Sequence, residues 1–194
     1  MLGGARVVDP PDLLRASGGL SETAPGAEAP ETFTNEPFLL PGQAVPGLHY
    51  ATPPLAEPLE ITGPLALYLH ASLDRPDATW MVVLRDLAPD GTSRIVTKGW
   101  LRASHRQLDP KRSKPYQPYH PHTESVPVTP GEVGEYAIEI REIANVFKAG
   151  HRLVLDIRGQ DTPAEDMLFF HLGNQQQTVH TIHHEGSHAS YLLV

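Results

Sequence analysis

The chain has 194 residues, 40% of them hydrophobic and 20% charged, with a formal net charge of −8. That is enough for one domain with a buried core, and the acidic balance excludes a nucleic-acid surface, which needs clustered Lys and Arg to neutralise phosphates. The absence of cysteine removes disulfides, thiolate metal sites and cysteine nucleophiles. The basic cluster Lys111-Arg112-Ser113-Lys114 lies among prolines and is expected to be a solvated loop. No run approaches the roughly 18 apolar residues of a membrane span, and MLGGARVVDPP lacks the basic start and apolar middle of a signal peptide. A soluble, cytoplasmic protein without a membrane or nucleic-acid partner is the expectation.

Residues 1–58 are rich in Pro, Gly, Glu and Ala and hold neither a 3.6-residue nor a 2-residue period. They predict an extended arm laid on a surface by Phe33, Phe38, Leu39, Leu40, Leu48 and Tyr50, because a free loop of that length is improbable in a compact domain. From residue 59 to 194 the pattern becomes that of half-buried strands. In LEITGPLALYLHASLD, Leu65, Leu67, Leu69, Ala71 and Leu73 fall on one face, and Ala66, Tyr68, His70 and Ser72 on the other. TWMVVLRDLAPDGTSRIVTKGWLRA predicts a hairpin turning at Pro89-Asp90-Gly91, where Asp-Gly supplies positive φ.

In EYAIEIRE, Tyr136, Ile138 and Ile140 face inward, with Glu139 and Arg141 outward. In HRLVLDIRG, Leu153, Leu155 and Ile157 face inward, with Arg152, Asp156 and Arg158 outward. IANVFKAGHR between them is expected to be a single turn ending at Gly150, while QQTVHTIHH and ASYLLV predict two last strands. At least seven strands, no long helix and a Pro-rich crossover at 107–131 indicate an all-β jelly-roll sandwich.

Candidate chemistry is sparse. GWLRASHR places Ser104 beside His105, but consecutive residues of a strand over 92–104 point to opposite faces, so the imidazole cannot deprotonate that hydroxyl. No G-x-S-x-G elbow occurs, and Arg102 and Arg106 are expected to form ion pairs. YHPHT (His120, His122) and HTIHHEGSH (His180, His183, His184, His188) have the imidazole density of a zinc site but lack H-E-x-x-H, so surface or inter-domain hydrogen bonding is the simpler expectation. On a strand His180 and His184 would share one face and His183 the other, and His151 after Gly150 is expected in a turn. Asp74 and Asp77 bracket a turn, and Asp161, Glu165 and Asp166 lie in a polar loop. Trp80 and Trp100 fall in strands, which leaves Tyr116 and Tyr119 in the proline loop as candidates for stacking on a sugar.

The order of I-T-G-P before the first strand, an aspartate before D-L-A-P-D-G, then G-x-L-R-A-S-x-R, P-G-E and V-F-x-A-G-H-R-L resembles the C-terminal domain of the X-Pro dipeptidyl-peptidase and cocaine esterase (CocE/NonD) α/β-hydrolases over about residues 49–194. GGLSETAP is similar to the run leaving the catalytic domain of that family. The resemblance implies a galactose-binding-like jelly roll capping a hydrolase domain whose Ser-Asp-His triad lies outside this chain. It therefore carries over no catalytic, cofactor or metal residue. Asp77, Asp86, Gly91, Gly99, Arg102, Ser104, Arg106, Gly150, His151 and Arg152 are matched as fold or interface positions only. Asp86 is expected to accept from Arg102 or Arg106 on the neighbouring strand.

The function expected is that of the non-catalytic domain of a serine hydrolase acting on esters, amides or prolyl peptides. The chain would be a truncated piece or a short natural protein, inactive alone, and would support a missing catalytic domain and self-association. The alternatives are a stand-alone carbohydrate-binding module and a His-rich metalloenzyme.

Overall fold

The alternating segments become strands because their apolar residues recur on one side of an extended backbone and can be buried there together. The structure, a computed structural model, describes residues 12–15, 18–21, 28–37, 39, 43–161, 176–184 and 188–194. Its strands are β1 (Asp12–Arg15), β2 (Gly19–Ser21), β3 (Glu31–Asn35), β4 (Gly47–Ala51), β5 (Leu59–Leu73), β6 (Thr79–Leu87), β7 (Ser93–Arg102), β8 (Gly134–Phe147), β9 (Arg152–Arg158), β10 (Thr178–Ile182) and β11 (Tyr191–Leu193). They run β11-β1-β2-β4-β9-β6-β7-β8-β5-β10-β3, and β11 also pairs with β5, so the sheet curls back on itself as a sandwich that is antiparallel except at the single β2–β4 pairing, Gly19↔Ala51. The longest ladders are β5–β8 and β6–β7, followed by β6–β9, and β7 meets β8 at Gly99↔Ile140. An irregularity in the β5–β8 register falls between Gly63 and Leu65, where Pro64 has no N–H to donate.

Leu65, Leu67, Leu69 and Leu73 of β5 pack on Trp80, Val82 and Leu84 of β6 and Leu153, Leu155 and Ile157 of β9, all fully or almost fully buried. The hairpin forms as expected: Gly91 has φ +85°, Asp90 Oδ1 accepts from Thr92 N at 2.9 Å, and Ala88 N donates to Thr92 O. Those Thr92 bonds hold the Asp90 carboxyl below its usual pKa.

Four expectations need correction. The stretch read as an arm pairs into the sandwich: β4 lies against β9, β3 against β10, and Leu14, Leu20, Phe33 and Tyr50 belong to the core, with Leu48 packed on it. Short strands of 3 to 5 residues cannot show a period in sequence, although edge pairing organises them. Leu39 is half-buried, and Phe38 and Leu40 lie outside the described residues. IANVFKAGHR is not one turn: β8 runs on to Phe147, and only Lys148–His151 turn, with Gly150 at φ +80°.

Ser104 is not on a strand either, because β7 ends at Arg102 and Ala103–His105 form a 3-10 turn. Asp156 and Arg158 do occupy the face opposite Leu155 and Ile157, but that face is covered: they are 1% and 4% exposed, and Met81, Val83 and Lys98 are buried as well.

Candidate functional site

One concave feature of the described surface is an open groove of about 850 Å³ between the outer face of β7 and β8 and the Pro-rich crossover. Its floor is built by period-2 geometry. Gly99 and Leu101 point toward the core side and leave Trp100 outward, beside Glu139 and Arg141 on β8. Its wall is Gln117-Pro118-Tyr119-His120-Pro121-His122.

Hydrogen bonds hold that wall in place. His120 Nδ1 lies 3.0 Å from Gln107 O and its Nε2 2.7 Å from Ala137 O, Tyr68 OH donates to Pro115 O at 3.0 Å, and Ser113 Oγ accepts from Tyr119 N. The Arg112 guanidinium sits 3.5 Å over the Tyr119 ring and occupies the face that a sugar would need. Tyr116 is not among the groove residues. His122 has φ +54°, an uncommon conformation for a residue with a Cβ. Its ring is held below the usual histidine pKa by burial and by His120 and His105.

The GWLRASHR corner is a structural clamp. Asp77 accepts from Ser104 N and Ser104 Oγ, each at 2.9 Å, and from Arg102 Nε at 2.6 Å. Ser104 is 1% exposed, and the one hydroxyl proton that a nucleophile would surrender is committed to Asp77. Arg106 donates to the carbonyls of Ala103 and Val126 rather than to a carboxylate, so the expected ion pair holds for Arg102 alone. Asp86 also differs from expectation: its partners are His151 Nδ1 at 2.7 Å and Arg94 Nη2 at 3.5 Å, not Arg102 or Arg106. Those two arginines lie at the far end of the hairpin, where Thr79↔Arg102 closes the pairing.

Two buried ionic clusters lie on the covered face. Asp156 accepts from Arg85 Nε and Arg158 Nη2, both at 2.6 Å, and lies 2.7 Å from His49 Nδ1. Burial raises its pKa, but the His49 bond and the Arg158 and Arg85 charges outweigh burial and hold it below the usual value. Lys98 Nζ and Asp161 Oδ2 are 2.9 Å apart with side chains 5% and 1% exposed, so Asp161 is not in a solvated loop as expected. Glu165 and Asp166 lie outside the described residues.

The histidines are dispersed. His180 and His184 are fully buried, which corrects the surface expectation; His180 stacks on Phe33, and His184 Nε2 lies 3.1 Å from Glu31. Burial pushes His180 down to about 4. His183 approaches Ser72 Oγ on the outer face, and Asp74 Oδ1 accepts from Val179 N. No three His, Asp or Glu side chains among the described residues are arranged to hold a metal ion. The groove floor was missed in sequence because Glu139 and Arg141 looked like ordinary outward charges. The available signal was a tryptophan on the polar side of the period.

The model of the X-Pro dipeptidyl-peptidase C-terminal non-catalytic domain matches residues 16–193. A provisionally named serine esterase of Mycobacterium bovis is 33% identical over 118 residues, 59% of this chain and 19% of that protein. Cocaine esterase of a Rhodococcus species is 27% identical over 121 residues, 61% and 18% of the two chains. A CocE/NonD family hydrolase from Staphylococcus aureus superimposes with a TM-score of 0.81 at 21% identity, covering 94% of this chain and 35% of that one, a likeness of fold. The chain thus spans about a fifth of the length of these curated relatives. With the match running from β2 to the end of β11, the chain belongs to the X-Pro dipeptidyl-peptidase C-terminal non-catalytic domain family.

Proposed function

We propose that the chain serves as the non-catalytic sandwich of a serine hydrolase of the X-Pro dipeptidyl-peptidase and CocE type. It would support a catalytic domain that carries the triad and acts on esters, amides or prolyl peptides. The observation that carries this reading is the family match over residues 16–193, with curated relatives of which the matched stretch makes up about a fifth. The chemistry of the chain agrees, since its one candidate nucleophile, Ser104, is buried and bonded to a carboxylate.

The test is turnover of p-nitrophenyl esters and an X-Pro p-nitroanilide by the purified chain, with a serine-reactive phosphonate as label. No turnover and no labelled serine is the expected result. Turnover with stoichiometric labelling overturns the reading. Self-association belongs to the same proposal. Val146 and Leu108 are the large hydrophobics exposed among the described residues, so the contact would be mainly polar. A monomer at every concentration by light scattering removes this part.

A further inference from the structure

We propose that His120 is a proton-operated latch for the Pro-rich crossover: its imidazolium fastens the lobe 107–120 to the sandwich, and loss of one proton loosens that lobe over the groove. The geometry asks for the charged ring. Nδ1 lies 3.0 Å from Gln107 O and Nε2 2.7 Å from Ala137 O, and both partners are backbone carbonyls, which can only accept. A neutral imidazole has one N–H, so it serves one carbonyl while its lone pair faces the other. The imidazolium donates to both, and hydrogen bonds from a charged donor are roughly twice as strong as neutral ones.

The two bonds act at different places. The Gln107 bond closes the lobe on itself, alongside Asp109 N, which donates to Tyr119 O at 3.0 Å. The Ala137 bond ties the closed lobe to β8, as Tyr68 OH ties its tip to β5 through Pro115 O. The groups around the ring favour His120 as the one that takes the proton. On the crossover, His122 is held below the usual histidine pKa by burial and by His120 and His105, so it stays neutral and does not compete. There too, Arg112 is stacked on Tyr119, and Asp109 accepts from Lys111 N and Arg112 N. The turn after β7 brings His105, its ring 5.4 Å from that of His122, and Arg106, whose guanidinium is bonded to Ala103 O and Val126 O. β5 contributes Tyr68, a phenol kept neutral by burial and by Glu135. Across the groove β8 presents Glu139, Arg141 and Glu142, two negative charges to one positive, which favours a cation on the wall. The latch therefore holds in acid and slackens as pH rises through the histidine range, roughly 5 to 8.

Long-range 1H–15N spectra of the histidine rings and hydrogen exchange of the lobe amides, both on the full chain from about pH 6 to 8.5, test this. His120 is expected to carry protons on both ring nitrogens at the acid end and on one at the alkaline end. After correction for intrinsic exchange, protection of the Asp109 and Tyr119 amides should fall about five- to tenfold over that range, the factor for one net hydrogen bond. In His120→Gln, which keeps a donor and cannot titrate, protection should not change with pH. His122→Asn, which tolerates the positive φ, should retain the fall. If His120→Gln does not fold, the ring spectra of the parent chain decide. Three results overturn the latch: a single ring N–H on His120 at every pH, lobe protection that ignores pH in the parent chain, or a fall that persists in His120→Gln. None of these readouts involves turnover, so they are independent of the hydrolase reading.

Discussion

Replacing Asp156 by Asn keeps the shape of the side chain and removes the charge at the centre of the covered face. The carboxylate is 1% exposed, and its partners Arg158 and Arg85 are 5% and 16% exposed, so neither cation can turn to water without opening the sheet. Removing one partner from a buried ionic cluster costs about 3–5 kcal/mol, because the remaining charge stays desolvated. In a domain of this size that lowers Tm by roughly 6–20 °C. With an m-value near 2 kcal/mol/M, it lowers the urea midpoint by about 1.5–2.5 M. His49 offers an internal contrast. Its ring is 58% exposed, so although it lies 2.7 Å from the same carboxylate, His49→Ala should cost less than about 1 kcal/mol.

The pH dependence follows from the depressed carboxyl. Its folded pKa lies below the unfolded value of 3.8, so the contribution is complete above about pH 5 and disappears as pH falls through the folded pKa. The stability difference between the parent chain and Asp156→Asn should therefore be flat from pH 5 to 8 and shrink toward pH 3. Urea unfolding followed by circular dichroism at each pH measures it. A loss below about 1 kcal/mol at pH 7, or equal losses for Asp156→Asn and His49→Ala, would refute the view that burial gives this cluster its weight.

Gly99→Ala places a Cβ 2.5 Å from Glu139 O and 3.1 Å from Ile140 Cα, both backbone, so it should destabilise by about 3 kcal/mol or more. Gly91→Ala meets no atom within 4 Å and should cost only the left-handed conformation, about 1–2 kcal/mol; urea midpoints of the two variants should rank accordingly. Asp77→Ala leaves the buried Ser104 N–H and hydroxyl without their acceptor and should lose about 2–4 kcal/mol, whereas Ser104→Ala should lose about 1, with esterase activity absent from both. His180, pushed down to about 4, must be neutral when folded, so stability should be full above pH 6.5 and fall as pH drops from 6.5 to 4, by on the order of 3 kcal/mol. His180→Leu should flatten the urea midpoint over that range, and an unchanged slope would contradict the assignment.

Long strands with a dry face were legible in the sequence, since alternation over β5, β8 and β9 states which side each residue takes. So were the Asp90-Gly91 and Gly150 turns, where a positive φ leaves a chemical signature. The order of these pieces was also sufficient to suggest the family. Three kinds of feature needed the tertiary structure. The short strands β1, β3 and β4 acquire their register from β11, β10 and β9, partners far away in the chain. The outward positions could be seen but not their cover, so Asp156 and Arg158 looked solvated although they are buried in an ionic cluster. The groove exists because curling of the sheet sets the Pro-rich crossover against Trp100, Glu139 and Arg141. Local pattern states which face a side chain takes; what lies over that face is decided by residues distant in sequence, which a period of two cannot register.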